Sequence, residues 1–304
     1  MSSLSIVINT KNAAETLKTA LVSCDFAQEV IVADMASSDD TLAIAKQAGA
    51  QIVRLKEYGK VEPEGRNEAF GAASCEWIFQ LDADEYIPPS LQEKIHALVD
   101  ENDPDTVAYA FARRNQMFGH WMKHTGWWPD YQVRLFKNGS AKYAQGVHSK
   151  LVVSGTTVSV PAETSLAIHH VNYRTVEQYV ERLNRYTTLA AAEKAQALSE
   201  RDFLSVFSGE FFRRFFDQQG YKDGEIGTLL SLLQSFYEVS TQAKVALSNP
   251  DFEFSDTPVT QQAQLKALEQ FHKDMAYWIA HTHEQTAASV VGAYWWKLRK
   301  KMRI

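Results

Sequence analysis

Short apolar runs alternate with helix-like segments over the first hundred residues, and this alternation limits the possible folds more than any other feature of the sequence. Residues 4–8, 29–33, 51–55 and 77–81 have strand composition. The clearest helical segment between them is TLAIAKQAGA, which Ser38 or Asp39 can cap and Gly49 can close. This rhythm predicts a parallel sheet, and the almost continuous apolar runs EVIVA and EWIFQL predict helices on both of its faces. We therefore expect an α/β fold with a doubly wound sheet over roughly the first 100 residues.

The composition changes beyond this region. Residues 109–139 are rich in aromatic and basic side chains and alternate like strands at both ends, which is typical of a lid or an acceptor wall. Residues 175–198 have helical spacing, 203–247 indicate two helices broken at GYKDGEIG, and a linker at 250–258 precedes a final helix. We predict a catalytic domain over 1–200, with a nucleotide-binding part at 1–100 and an acceptor part at 101–200. A helical C-terminal region over 201–304 follows it.

The charge balance and the ends of the sequence narrow the class of protein. The 304 residues carry a formal net charge of -6, so no basic surplus is present to neutralise a nucleic-acid backbone. Cys24 and Cys75 have no metal or redox spacing, which favours core positions in a reducing compartment. The N-terminal MSSLSIVINTKN lacks signal-peptide character, and no run approaches the roughly 18 apolar residues of a spanning helix. We expect a cytoplasmic protein with at most peripheral membrane contact.

Polar side chains follow three of the predicted strands at their carboxyl ends, where open α/β sheets bind ligands. They are Thr10 and Asn12 after the first strand, Asp34 after the second, and Asp82 with Asp84 after the fourth. Two carboxylates on one short turn suit Mg²⁺ or Mn²⁺, and such a cation bridges the oxygens of a diphosphate. Because the sequence has neither GxxxxGK[ST] nor GxGxxG after a strand, the metal would supply the positive charge.

Two other interpretations of this carboxylate pair are disfavoured. A calcium loop of the EF-hand kind needs glycine at its sixth position and glutamate at its twelfth, but counting from Asp82 gives Ile87 and Glu93. A phosphatase with an aspartate nucleophile usually has threonine or valine two residues after its second aspartate, and this sequence has Tyr86 there.

Seven stretches of the sequence resemble family 2 glycosyltransferases of the GT-A fold, and within them the subgroup that adds glucose to the inner core of lipopolysaccharide. In order they are SIVINTKN at 5–12, IVADMASSDDT at 31–41, GRNEAF at 65–70, EWIFQLDADE at 76–85, GWWPDYQVRLF at 126–136, GVHSKL at 146–151 and RLNRYTTLAA at 182–191. The resemblance implies a GT-A type doubly wound mixed sheet with a helical C-terminal extension. It also implies inverting transfer of a hexose from a nucleotide-diphosphate donor such as a UDP-sugar.

The resemblance places several residues beside the nucleotide sugar. Thr10, Asp34, Asp39 and Arg66 match positions that border the nucleotide, with Asp34 as the partner of the base or ribose. We assign Asn12, from the same loop as Thr10, to this group. An aspartate before a helix also commonly acts as a cap, and this alternative stays open for Asp39.

The resemblance also implies a metal site and a catalytic base. Asp82 and Asp84 match the family's DxD motif, the first directed toward the ribose and the second toward the metal. His148 matches a histidine that often completes the metal coordination, and His170 is its rival for that position. Asp130 matches the acidic catalytic base.

Asp130 has a physical case of its own. It follows Trp127 and Trp128, where burial would raise the pKa of a carboxyl while a nearby Arg134 would lower it, so the balance stays open. A turn residue paired with Arg134 is the alternative role for Asp130, as an ordinary histidine is for His148. Trp127, Trp128 and Arg134 are candidates for the acceptor side, since aromatic faces can stack on sugars.

The implied reaction uses one base and one cation. Asp130 would accept the hydroxyl proton as the oxygen attacks the anomeric carbon, and a cation on Asp84 would stabilise the departing diphosphate. Two positions depart from the family pattern: Ala36 replaces a usual glycine, and Ser149 replaces a glutamate that often contacts the acceptor. A catalytically silent GT-A scaffold and a nucleotidyltransferase are the alternative functions, although VINTKNAAET lacks a glycine-rich pyrophosphate loop.

The C-terminal end carries a separate signal. AYWWKLRKKMRI places five basic residues beside Trp295 and Trp296, which suits an interfacial anchor on an anionic membrane surface; a solvated helix end is the alternative. The phenylalanine-rich FLSVFSGEFFRRFF at 203–216 favours a core or dimer contact, so a homo-oligomer stays open. An anchored enzyme would act on a membrane-borne glycolipid or on a cell-surface polysaccharide precursor such as lipopolysaccharide core.

Overall fold

A computed structural model describes residues 3–55, 63–144, 150–194, 202–250, 252–287 and 289–302 of the protein. The chain divides into two compact units. A sheet unit comprises Met1–Trp121 and Trp127–Arg174, and a helical unit comprises Met122–Gly126 and Thr175–Ile304. The domain boundary predicted between residues 200 and 201 lies outside the described residues and stays a prediction.

The sheet unit alternates strands and helices in its first half and is mostly strands in its second. Its strands are β1 (Leu4–Thr10), β2 (Glu29–Asp34), β3 (Gln51–Arg54), β4 (Trp77–Asp82), β5 (Glu85–Tyr86), β6 (Ala108–Met117), β7 (His120–Trp121), β8 (Asp130–Lys137), β9 (Ala141–Tyr143), β10 (Leu151–Val153), β11 (Thr157–Ser159) and β12 (Ile168–Tyr173). Its helices are α1 (Leu17–Val22), α2 (Thr41–Gln47), α3 (Pro63–Gly71) and α4 (Pro89–Glu101). All four predicted strand runs coincide with β1–β4.

The main sheet is mixed, with strand order β3-β2-β1-β4-β8-β6-β12-β5. Strands β3, β2, β1 and β4 are parallel, whereas β8 is antiparallel to both β4 and β6. Strand β12 runs parallel to β6 and antiparallel to β5. The predicted α/β fold with a mixed sheet is confirmed, and it places the carboxyl ends of β2, β1 and β4 at one edge.

Helices cover both faces of the parallel part, as the continuous apolar runs predicted. All seven residues of β1 are buried, and their side chains alternate between two cores. Ile6 and Ile8 belong to the core that contains Leu17 of α1 and Leu91 of α4. Val7 belongs to the opposite core, with residues of α3. The doubly wound arrangement follows from this two-sided burial.

The helical unit contains α5 (Val176–Lys194), α6 (Phe203–Phe212), α7 (Gly224–Ser248), α8 (Pro258–Thr286) and α9 (Val290–Met302). Helix α7 packs against α5 and α6, and α8 packs against α9. The predicted helical C-terminal extension is therefore confirmed. In the described part of the chain, no helix combines the length and the apolar character needed to cross a membrane.

Two details of the helical unit bear on the sequence predictions. The predicted break between α6 and α7 is present, as a π-helical turn at Arg213–Asp217 followed by a 3-10 turn at Gly220–Asp223. The prediction of one final helix after residue 258 was wrong, because the structure has two. Ser289 explains the second start, since its Oγ accepts a hydrogen bond of 3.1 Å from the backbone N–H of Gly292 and caps α9.

Candidate functional site

The carboxyl ends of β1 and β2 bring Thr10 and Asp34 together. The two residues are register partners in the parallel pair, and both are buried. Thr10 donates a hydrogen bond of 3.3 Å from Oγ1 to Oδ1 of Asp34, and the backbone N–H of Ser37 donates to Oδ2 at 3.1 Å. The Asp34 carboxylate is thus fixed in orientation at the edge where the sequence predicted a ligand.

The loops that follow these strands hold Asn12 and Asp39 near the surface. Asn12 accepts a hydrogen bond of 2.8 Å from the backbone N–H of Ser38. Asp39 accepts from the backbone N–H of Thr41 at 3.0 Å, a turn contact two residues along the chain, while Asp40 occupies the N-cap position of α2. Ala36, where the family usually has glycine, has a φ of 57°, a conformation that glycine adopts most easily.

Asp82, at the end of β4, lies between two arginines. Arg134 of β8 donates from Nη2 to Oδ2 of Asp82 at 2.6 Å, and Nη2 of Arg66 lies 3.8 Å from Oδ1. Arg66 also donates to the hydroxyl of Tyr143 at 2.8 Å. Burial alone would raise the pKa of Asp82, but the charges of Arg134 and Arg66 hold that pKa well below its usual range. Asp82 is therefore an ionised acceptor at neutral pH.

Glu85 is a second acid that binds Arg134, and it lies deeper in the protein than Asp82. Its side chain is fully buried, and its Oε1 accepts a bond of 2.6 Å from Arg134 and lies 3.4 Å from Nη1 of Arg113. Its Oε2 accepts from the backbone N–H of Asp82 at 3.0 Å. Since a buried carboxylate is tolerated only when it is paired and hydrogen-bonded, these contacts account for Glu85 in the interior.

Asp130, at the start of β8, is held by three side chains. Arg113 donates to its Oδ2 from Nε at 2.9 Å and from Nη2 at 2.6 Å, and Asn115 donates to the same oxygen at 3.0 Å. Gln132 donates to Oδ1 at 3.0 Å. Burial would raise the pKa of Asp130, but Arg113 and the hydrogen bonds from Asn115 and Gln132 outweigh it and lower the pKa.

The predicted alternative pairing of Asp130 with Arg134 is not formed, and Arg113 takes the place of Arg134. Asp130 and Arg134 both lie on strand β8, where a separation of four residues spans about 13 Å. Arg113 instead lies directly opposite Asp130 in the antiparallel pair of β6 and β8. The structure places Arg134, an expected acceptor-side residue, beside Asp82 and Glu85.

Asp84, in the turn between β4 and β5, faces His170 of β12. Nε2 of His170 lies 3.6 Å from Oδ1 of Asp84, and Nδ1 of His170 lies 2.6 Å from Oδ1 of Asn115. Because the Asn115 amide nitrogen donates to Asp130, its oxygen must accept from Nδ1–H of His170. A neutral His170 then presents the lone pair of Nε2 toward Asp84.

These donors fit a divalent cation. An imidazole nitrogen and a carboxylate oxygen are both metal ligands, and a hydrogen bond at the far nitrogen of the ring is the usual support of a ligating histidine. Among the residues that the structure describes, no group of three or more His, Cys, Asp or Glu side chains could hold a metal. His148, the rival ligand, lies outside the described residues.

Of the two aromatic candidates, Trp127 lies near Asp130 and Trp128 packs in a neighbouring aromatic cluster. The backbone carbonyl of Trp127 accepts a hydrogen bond of 3.1 Å from Asn115, the residue that also binds Asp130. Trp128 packs edge-on against Trp121 with ring centroids 5.7 Å apart. The guanidinium of Arg114 lies 4.5 Å from the Trp121 ring centroid. Trp121, Trp128 and Arg114 thus form one cluster, and the strand register places Arg114 and Trp121 on the face of β6 opposite to Arg113 and Asp130.

Sequence reasoning missed Glu85, Arg113 and Asn115. Glu85 was visible as the acid that directly follows the DxD motif. Arg113 and Asn115 are two apart on β6, so they share a face, but only the pairing with β8 shows that this face meets Asp130. The signal lay in a strand-like stretch with two polar residues, Arg113 and Asn115, on one face.

Comparison with known proteins gives consistent matches. The model of the family described as "Glycosyl transferase family 2" matches residues 5–154. An uncharacterized glycosyltransferase of Rickettsia felis is 28% identical over 266 residues, which cover 81% of this chain and 90% of that protein. The lipopolysaccharide core biosynthesis glycosyltransferase LpsC of Rhizobium meliloti is 24% identical over 80% of this chain and 91% of its own. The crystal structure of S. aureus TarS covers 84% of this chain and 94% of its own, with 12% identity and a TM-score of 0.43.

The pairing of Arg134 with two acids makes a prediction for stability. We expect Arg134→Met to lower the free energy of unfolding by about 3–5 kcal/mol near neutral pH, because it leaves Asp82 and Glu85 partly buried without their main cation. The deficit should narrow as the pH falls toward about 4, since an unpaired Asp82 takes up a proton more readily. The wild type should lose the contribution of Asp82 only below the ordinary pKa of this carboxyl, 3.8.

Urea unfolding at several pH values measures this difference. Arg54→Met, at an exposed position of β3, is the matched control and should change the free energy by less than about 0.5 kcal/mol. An equal loss in both variants, or a deficit in Arg134→Met that does not depend on pH, would contradict the assigned pairing.

Proposed function

The N-terminal half of the chain belongs to glycosyltransferase family 2, and we propose that the enzyme transfers a hexose, with inversion, from a UDP-sugar to a hydroxyl of a glycolipid or polysaccharide precursor. One observation carries the proposal: Asp130 and the DxD aspartate Asp82 are linked through Arg113, Glu85 and Arg134 within hydrogen-bonding and ion-pair distances. A base and a donor-binding motif held in one rigid network suit direct displacement at an anomeric carbon.

Asp130 is the proposed base. Its lowered pKa keeps it ionised at neutral pH, so it is always ready to accept a proton. The same lowering makes it a weak base, and the acceptor hydroxyl becomes acidic only as its oxygen bonds to the anomeric carbon. Proton transfer to Asp130 would therefore accompany bond formation rather than precede it. Oδ1, which accepts one described bond from Gln132, is the oxygen that would face the acceptor.

The donor side would use the strand ends. We assign Thr10, Asp34 and Arg66 to the nucleoside, because they lie at the carboxyl ends of β1 and β2 and on α3 beside Asp82. Asp84 and His170 would hold Mg²⁺ or Mn²⁺, and the bound cation would supply Lewis-acid stabilisation of the diphosphate. His148 stays a candidate for a further ligand.

The acceptor proposal has two supports. The Rhizobium meliloti relative is named as a lipopolysaccharide core biosynthesis glycosyltransferase, and the match extends over most of both chains. Trp127 lies close to Asp130 because Asn115 donates to both, and Trp128 follows it, so an aromatic pair near the proposed base suits a sugar-bearing acceptor. We therefore propose a saccharide acceptor of the lipopolysaccharide-core type.

The base makes a kinetic prediction. We expect Asp130→Asn to lower kcat by about 10²–10⁴-fold, because the amide cannot accept the hydroxyl proton, while the Kd for UDP stays within about twofold. The acid limb of the wild-type kcat profile that is due to Asp130 should lie below about pH 4, since the folded-state pKa is lowered.

Turnover with a panel of UDP-sugars and calorimetric titration of UDP measure these quantities. Asp105→Asn, at an exposed loop position, is the matched control and should retain wild-type rates. Retention of more than about a tenth of the wild-type kcat in Asp130→Asn would exclude it as the base. UDP binding without turnover of any donor by the wild type would favour a silent scaffold.

The cation site makes a prediction about two adjacent histidines. Mn²⁺ should strengthen UDP binding to the wild type, and we expect this gain to fall by about 10–100-fold in His170→Ala and in Asp84→Ala. His169→Ala is the matched control: its ring packs at a tilt against that of Tyr86 with centroids 4.6 Å apart, so its loss should leave the Mn²⁺ effect intact. Titration of UDP with and without Mn²⁺ makes the comparison, and an unchanged Mn²⁺ effect in His170→Ala would exclude the histidine.

We also propose that α9 attaches the enzyme to an anionic membrane surface. Trp295 is half exposed, and Arg299 lies 4.9 Å from its ring centroid. Lys297 and Lys301 are exposed on the same helix, so aromatic and cationic groups are presented together. Such a combination suits an interfacial helix.

The attachment can be tested by removing charge without removing the helix. Changing Lys297, Arg299 and Lys301 to glutamine should weaken binding to vesicles of phosphatidylglycerol and phosphatidylcholine by about 3 kcal/mol, or roughly 100-fold. Changing Lys266 and Lys273 of α8 to glutamine is the control and should have little effect. Equal vesicle binding by both variants, or concentration-dependent dimerisation without vesicle binding, would contradict the proposal.

A further inference from the structure

Glu85 occupies the centre of the candidate site without being one of the groups expected to touch substrate. It is 1% exposed and directly follows the DxD motif. In the antiparallel pair of β5 and β12, its register partner is His170. Glu85 therefore lies between the turn that carries Asp84 and the strand that carries His170. A buried acid at such a position has either a structural role or a role in placing its neighbours.

One oxygen of Glu85 serves two guanidinium groups. Oε1 accepts from Nη2 of Arg134 at 2.6 Å and lies 3.4 Å from Nη1 of Arg113. Beyond these contacts, Arg134 binds Asp82 and Arg113 binds Asp130. We call Asp82, Arg134, Glu85, Arg113 and Asp130 the charged bridge. Its members alternate in sign from the donor motif to the base.

The guanidinium of Arg113 contacts the two acids on either side of it in the bridge through different nitrogens. Nε and Nη2 of this side chain both point at Asp130, and only Nη1 faces Glu85. A planar guanidinium cannot turn one edge without turning the other, so the contact with Glu85 sets the edge that Asp130 meets. Arg134, by contrast, uses one nitrogen for both Asp82 and Glu85.

We infer that Glu85 is a positioning residue for the transfer reaction: it holds Arg113 so that the guanidinium fixes the Asp130 carboxylate in line with the donor site. The inference rests on the proposed role of Asp130. Without the negative charge of Glu85, Arg113 and Arg134 would face each other as two buried like charges. Repulsion would push the two guanidinium groups apart. The guanidinium of Arg113 would then turn and move the Asp130 carboxylate away from the acceptor.

Donor binding should depend on Glu85 much less than the chemical step does. Asp82 keeps two partners of its own, Arg134 and Arg66, when Glu85 loses its charge. His170 lies 3.6 Å from Asp84 and is held on its other ring nitrogen by Asn115, so this pair has a support that does not run through Glu85. A displacement of the base by about 1 Å, however, can reduce a rate by about 100-fold.

The first test compares Glu85→Gln with Glu29→Gln. Glu29 is a matched control because its carboxylate is also bound by hydroxyl and backbone donors, Ser5 and Ser74, but at the start of β2. We expect Glu85→Gln to lower kcat by about 100-fold and to leave the Kd for UDP within about threefold. Glu29→Gln should change neither. A wild-type kcat in Glu85→Gln, or an equal loss in Kd and kcat, would overturn the inference.

A double-mutant cycle separates positioning from general destabilisation. Combined with Arg113→Lys, Glu85→Gln should lower kcat little further, because both changes break the same path to Asp130. Combined with Arg66→Lys, the logarithms of the two effects should add. Additive effects in both cycles would overturn the inference. If Glu85→Gln does not fold, Glu85→Asp replaces it in both cycles: it keeps the charge but draws the carboxylate back from Arg113, so we expect a smaller loss of kcat that is again not additive with Arg113→Lys and additive with Arg66→Lys.

A readout that does not require turnover distinguishes failure of this inference from failure of the proposed function. The Nε–H group of Arg113 should give a protected signal in ¹⁵N spectra, since it donates to Asp130 at 2.9 Å. Its hydrogen exchange should become at least about tenfold faster in Glu85→Gln and stay unchanged in Glu29→Gln. Unchanged exchange in Glu85→Gln would overturn the positioning role whether or not Asp130 is the base.

Discussion

The charged bridge between Asp82 and Asp130 is the constraint on which the rest of the site depends. Buried carboxylates and guanidiniums are costly unless each is paired, and here Arg134 and Arg113 supply the pairs through Glu85. The pairs can form only if β4, β8 and β6 are adjacent in their observed register. The strand order is therefore needed to pair these charges, and the paired charges in turn are tolerated only in this strand order.

The N-terminal sheet and the DxD edge could be predicted from the sequence because their signals are local. A buried parallel strand is an apolar run, and the residues that follow it occupy the carboxyl edge whatever else the fold does. Ala36 illustrates the limit: the sequence marked a departure from glycine, but only the structure gives the φ of 57° that explains the usual residue.

The partners of those residues could not be predicted, because they depend on pairings between distant strands. Asp130 and Arg134 are close in sequence, yet the strand separates them, and Asp130 binds Arg113 across a pairing that sequence spacing does not reveal. The division of the predicted final helix into α8 and α9 was missed for a smaller reason. A single serine, Ser289, caps a new helix within an otherwise helical stretch.

The backbone contact behind the two proposed cation ligands, Asp84 and His170, has a consequence for ion choice. Val171, next to His170, donates from its backbone N–H to the carbonyl of Asp84 at 2.9 Å, so the two donor-bearing segments are tied by the main chain. A pair of donors held at a set spacing cannot widen to follow a larger ion, whose ligands stand farther off. Discrimination against Ca²⁺ would then be a property of the sheet itself, and substitutions that leave both donors in place but loosen β12 would relax it.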